Sequence, residues 1–117
     1  MTLPLTPHML EAAYEYLRTT PPFSGWRLPH ADAVEFHVIR TPAVCGWHIA
    51  GETPTIAIST GRIGWTQALM ETMAHEMIHL FQARRRSETP RTEHNAEFVR
   101  LAARVCDYHG FDPKLFI

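Results

Sequence analysis

The sequence predicts an α+β domain: one N-terminal helix, a small antiparallel or mixed sheet of three strands, and two C-terminal helices. Three observations predict it. Apolar residues recur at helical spacing at both ends of the chain, short alternating runs lie between them, and Pro/Gly clusters separate the blocks. The 117 residues suit a single domain with one modest core, so one unit spanning 1–117 is expected, with no repeat and no linker.

The first helix is expected over Thr6–Arg18. Thr6 can cap it, Pro7 suits its first turn, and Leu10, Ala13, Tyr14 and Leu17 form its buried stripe. Pro21, Pro22, Ser24 and Gly25 then break the chain. Strand-like runs follow at Val34–Arg40, with Val34, Phe36 and Val38 on one side, at Ala43–Ala50, and at Thr55–Thr60, with Ile56 and Ile58 on one face. Gly51–Pro54 reads as a hairpin turn between the last two, and Cys45-Gly46 as a place of tight packing against a helix. Gly61 and Gly64 close the strand region. A long helix is expected from Trp65 to Arg85, with Leu69, Met70, Met73, Met77, Leu80 and Phe81 on its apolar face. Ser87–Thr92 is a polar loop. A last helix is expected over Glu93–His109, burying Phe98, Leu101, Ala102 and Val105, with Gly110 as its cap and Pro113 as a stop. Trp26, Trp47 and Trp65 are expected in the core.

Composition excludes several classes. A formal net charge of -1 gives no whole-molecule attraction to nucleic acid or to an anionic membrane. Cys45 and Cys106 are too few for a disulfide framework or a four-cysteine metal site, and fit free thiols in a reducing compartment. Met1–Leu10 lacks the basic and apolar blocks of a secretory signal, and no run approaches the ~20 apolar residues of a membrane span, so a cytoplasmic location is expected.

The eight histidines gain meaning from their positions. His75-Glu76-Met77-Ile78-His79 lies inside the long helix. Residues i and i+4 share a helix face, so both imidazoles can reach one ion. The glutamate beside the first histidine can then take a proton from metal-bound water without occupying a coordination position. A catalytic zinc takes three protein ligands and keeps one position open. His94 is the leading third ligand, because the loop before it is long enough to bring the last helix beside the first pair. Glu97, one turn on, is the rival ligand or a partner that orients His94.

Together with His94-Asn95-Ala96-Glu97-Phe98, this segment resembles the SprT-like zinc metallopeptidases, the family that includes the Spartan proteases of DNA–protein crosslinks. The resemblance runs over roughly Ala43–Pro113. It implies a minimal zincin-like fold, one zinc per chain on His75, His79 and His94, Glu76 as the catalytic base, and a protein or peptide substrate. Asn95 stands where the family usually has glycine, a minor change at a helix start. With the sequence running to Ile117, neither the C-terminal zinc ribbon of many members nor the DNA-binding and partner-recruiting tails of Spartan itself is expected. The resemblance therefore implies a catalytic core more strongly than a crosslink-repair role.

Four residues are candidates to stabilise the transition-state oxyanion: Tyr108, His109, Arg62 and His48. Thr55–Thr60 is either an edge strand along the cleft, able to pair with an extended peptide, or a strand sealed by its neighbours. Arg84, Arg85 and Arg86, with Arg91 nearby, form the basic cluster. They read as a solvated helix end complementing the dipole, or as a phosphate-contacting patch for DNA-linked substrates. Glu71 is an exposed carboxylate or a partner of His75. The alternative to a peptidase is a non-catalytic module whose zinc only joins two helices for DNA or partner binding; a further one is a zinc hydrolase of non-peptide amides.

Overall fold

A computed structural model describes residues 5–60 and 66–116. Gly61, Arg62, Gly64 and Trp65, named above, and the first four residues of the Met1–Leu10 segment lie outside the described residues. The expected α+β layout is the one observed: helix α1 (Pro7–Arg18), strands β1 (Glu35–Ile39), β2 (Gly46–Ile49) and β3 (Thr55–Ser59), then helices α2 (Thr66–Arg85), α3 (Ala96–His109) and α4 (Pro113–Phe116).

The elements follow from local chemistry. Thr6 Oγ1 accepts the Met9 N–H and caps α1, and Pro7 fills a position where no donor is needed. Leu10, Ala13, Tyr14 and Leu17 are buried, the stripe that the periodicity predicts. Tyr14 Oη donates to the Pro29 carbonyl, and Glu15 accepts from the Ala31 N–H while paired to Arg18, so α1 ties down the irregular segment before the sheet. Gly110, at φ 77, ends α3 in the left-handed conformation that glycine adopts without strain, and donates to the Cys106 carbonyl.

The three strands form a mixed sheet in the order β1-β3-β2. β1 runs parallel to β3, while β2 and β3 form the antiparallel hairpin expected around Gly51–Pro54. β3 is therefore the central strand. The sealed reading of Thr55–Thr60 is the one that holds, and the edge strand beside the cleft is β2. A Cβ at Gly46 would lie 2.5 Å from the Ala57 carbonyl oxygen and 3.3 Å from Thr72 Cγ2, so the tight packing expected there is present: only glycine lets β2 sit this close to β3 and α2.

α1 and α2 pack on the sheet, and α3 and α4 close over α2. Their shared core joins Leu10, Tyr14 and Leu17 to Ile56, Ile58, Met73, Met77, Phe98 and Val105. Because α2 meets partners on several sides, its buried set is wider than one stripe and takes in Ala74 and Ile78, while Met70 and Phe81 are only partly buried. Trp26 stacks on Phe81, with ring centroids 4.5 Å apart. Trp47, expected in the core, is instead 41% exposed on β2, an edge strand. Pro113 does not merely stop α3. It begins α4, whose first turn is capped by Asp112 Oδ1 accepting the Lys114 N–H.

Candidate metal centre

α2 presents His75 and His79 one turn apart, and the segment entering α3 brings His94 to them. One nitrogen from each of the three rings lies within 4.8 Å of the other two, and no other such group exists among the described residues. His94 Nε2 is 3.2 Å from His75 Nε2. Two ligands of a tetrahedral ion at ~2.0–2.1 Å stand about 3.3 Å apart, so this pair already has coordination spacing. His75 Nδ1 lies 3.1 Å from the Phe116 carbonyl oxygen. A carbonyl can only accept, so Nδ1 carries the proton and Nε2 keeps its lone pair for the shared point.

Beneath the rings lies Phe98, fully buried, with centroids 5.0, 4.7 and 4.4 Å from His75, His79 and His94. Burial lowers the pKa of His75, against the Phe116 carbonyl which raises it, and burial with the neighbouring imidazoles takes His79 down to about 3. Both rings are neutral at pH 7, the form in which imidazole binds a metal. The donor set, three imidazoles with no thiolate or fourth closing residue among the described residues, fits an open zinc site.

Glu76 is 5% exposed and lines the same cleft. Burial, with Glu93 adding repulsion, pushes its carboxyl up to about 8. The cleft has a volume of about 710 Å³ and is walled by β2 on one side and the 88–93 loop on the other. A second hollow of about 450 Å³ meets it at Val44, Gly46, His75 and Glu76 and is bounded by Leu115 and Phe116. The two hollows thus meet beside His75 and Glu76.

Of the expected site residues, His75, Glu76, His79 and His94 come together. His94 does so from just before α3, not from its first turn: Asn95 is the N-cap, its Oδ1 accepting the Phe98 N–H at 2.9 Å, so helix geometry starts at Ala96. Glu97 turns away from the imidazoles. It accepts from Ser87 Oγ and Gln82 Nε2 and lies 3.6 Å from Arg85 and 3.8 Å from Arg100, which holds it below the usual carboxylate range. Tyr108 is 56% exposed near the far end of α3, about 18 Å along the helix axis from Ala96. His109 packs toward α1, 3.3 Å from Thr20 Oγ1. His48 does line the cleft. Its Nε2 is the one buried side-chain polar atom without a partner among the described residues, and burial takes its pKa down to about 4. Arg84, Arg85 and Arg86 are exposed at the end of α2, Arg85 being drawn over the Phe81 ring and toward Glu97. Glu71 accepts from Gln67 and lines the second hollow.

Sequence reasoning missed three contributors. Gln82 is a polar residue at an apolar-stripe position, three residues after His79, and that mismatch was its signal. Phe98 was read as core and is also the floor of the site. The Phe116 carbonyl carries no local signal, because any residue has one. A comparison with protein-family models finds no match, and neither does a search of the curated proteins.

Proposed function

We propose that the chain is a zinc-dependent endopeptidase whose metal is held by His75, His79 and His94. The reading rests on one observation above all: three imidazoles converge within 4.8 Å of one another beside a buried carboxyl on an open cleft. Their order along the chain, and the glutamate beside the first, resemble the SprT-like metallopeptidases. Bound there, zinc would supply a Lewis acid that activates a water and polarises a carbonyl.

The residues' own parts follow from their positions. Glu76, whose carboxyl would be ionised once a cation bound beside it offsets the cost of burial, takes the proton of the attacking water and passes it to the leaving amine. The Phe116 carbonyl keeps His75 in the tautomer that leaves Nε2 bare. Phe98 excludes water from below the site. The outer edge of β2, unpaired among the described residues and with Gly46, Trp47 and His48 along the cleft, offers main-chain hydrogen bonds to an extended polypeptide, which favours unstructured protein substrates over compact ones. A purely structural zinc has no use for a buried glutamate in an open cleft, and that favours catalysis over a zinc-stapled binding module.

The test is metal analysis combined with cleavage of an unfolded protein. Wild type is expected to bind one zinc and to cleave. Glu76→Gln is expected to keep the metal and lose cleavage by at least about a hundredfold, the usual scale of acid–base catalysis. Zinc retained by wild type with equal cleavage in both proteins would remove Glu76 from the chemistry. Parallel assays with and without single-stranded DNA test the DNA-linked substrate that the basic cluster suggests.

A further inference from the structure

Gln82 is 1% exposed, yet it is polar and belongs to neither short histidine segment. Its Nε2 donates to Asn95 Oδ1 at 2.9 Å and to Glu97 Oε1 at 3.0 Å. Both amide hydrogens are thus spent on the residues that follow His94, and one side chain on α2 bridges to the start of α3. Asn95 extends the bridge outward. Its Nδ2 donates to the Ser87 carbonyl at 3.0 Å and to Thr89 Oγ1 at 2.9 Å, while its Oδ1 also accepts the Phe98 N–H. Glu97 takes the Ser87 hydroxyl as well. The loop that carries His94 is therefore held at both ends by one connected set of hydrogen bonds, rooted in the helix that carries His75 and His79.

We propose that Gln82 and Asn95 are positioning residues for the third metal ligand: they hold His94 at coordination distance from the α2 pair before any metal arrives. The proposal rests on the metal-centre reading above. Its physical basis is pre-organisation. His94 sits outside regular structure, and without the bridge each binding event would have to order its loop. The bridge is also specific to an amide. At position 82 a carboxylate would turn two donors into acceptors facing Asn95 Oδ1 and the Glu97 carboxylate. A glycine at 95 could still start α3 but would abolish every side-chain bond on that side. Asn95 is thus a clamp, not the minor change at a helix start that its place in the sequence suggests.

The test is a double-mutant cycle on zinc affinity, read by chelator competition, with melting of the metal-free protein measured alongside. Gln82→Met keeps the volume and removes the donors. Asn95→Gly is a half-buried change that leaves the core intact and decides the matter if Gln82→Met fails to fold. Each is expected to weaken zinc binding by about 10- to 100-fold, the range for partners that orient metal ligands. In a His94→Ala background neither should weaken it further, because the ligand they position is gone. Wild-type affinity in both single variants would overturn the proposal. So would an equal loss with and without His94, which would mark a general effect on the fold. If wild type itself binds no zinc, the metal-centre reading fails and this proposal goes with it; if wild type binds and only the coupling is absent, the metal centre stands alone.

Discussion

Glu76 shows how one buried side chain can oppose stability. Its folded pKa, about 8, lies above the ordinary value of 4.5. Below about pH 4.5 the carboxyl is protonated in both folded and unfolded chains and costs nothing. Between 4.5 and about 8 the unfolded chain releases the proton while the folded one keeps it, so stability falls as pH rises, then levels off. Metal-free Glu76→Gln should therefore melt at a higher temperature than metal-free wild type at pH 8 and match it more closely at pH 5. Equal melting temperatures at pH 8 would mean that the carboxylate is better solvated than its 5% exposure indicates. His94 gives the second prediction at this scale. With three ligands, His94→Ala should lower zinc affinity by a hundredfold or more, and unchanged zinc content would exclude it as a ligand.

Among the elements, β2 and α4 are the two small pieces that frame the site. β2 is held close by the absence of a side chain at Gly46. Gly46→Ala would place a methyl 2.5 Å from a backbone oxygen that cannot move aside, so about 1–3 kcal/mol of destabilisation is expected in denaturant melts. The strand should shift with it, lowering cleavage more than zinc affinity, since β2 walls the groove and contributes no ligand. α4 is short, but its last carbonyl orients His75. Asp112→Ala removes the side-chain cap of that turn. It should cost about 1 kcal/mol at most, a shift of a few degrees in the melting of the metal-free protein, and reduce zinc affinity several-fold. Normal zinc affinity there would show that the Phe116 carbonyl stays in place without its cap.

For the whole molecule, the site is a place where buried imidazoles oppose acid. His48, His75 and His79 all have folded pKa values below the ordinary 6.5, first of all because they are buried. The unfolded chain gains protons near 6.5 that the folded chain refuses until about 4 for His48 and about 3 for His79, so stability is lost as pH falls through that window. Metal-free protein should lose melting temperature between pH 6.5 and 4. On the proposed reading, zinc should raise the melting temperature at pH 7 and still do so at pH 6, where ordinary imidazoles would be mostly protonated. Calorimetry at pH 7, 6 and 5, with and without zinc, reads both effects. No zinc-dependent shift at pH 7 would contradict the metal centre itself.

Local periodicity and end chemistry determined most of what could be read from residues in order. The α1 stripe of Leu10, Ala13, Tyr14 and Leu17, its Thr6 cap, the Gly51–Pro54 hairpin and the Gly110 cap were legible because each depends on neighbours a few residues apart. The pairing of His75 with His79 was legible for the same reason, as one helical turn separates them. Only the tertiary structure decided that Thr55–Ser59 lies in the middle of the sheet and Gly46–Ile49 at its edge, because a parallel pairing of β1 with β3 skips the strand between them in the chain. It alone decided that His94 meets the α2 pair while Glu97 turns to Gln82 and Ser87, and that a carbonyl from α4 reaches His75. Those contacts span 10 to 41 residues of sequence, and they form only when the packing of separate apolar faces closes the loops between them.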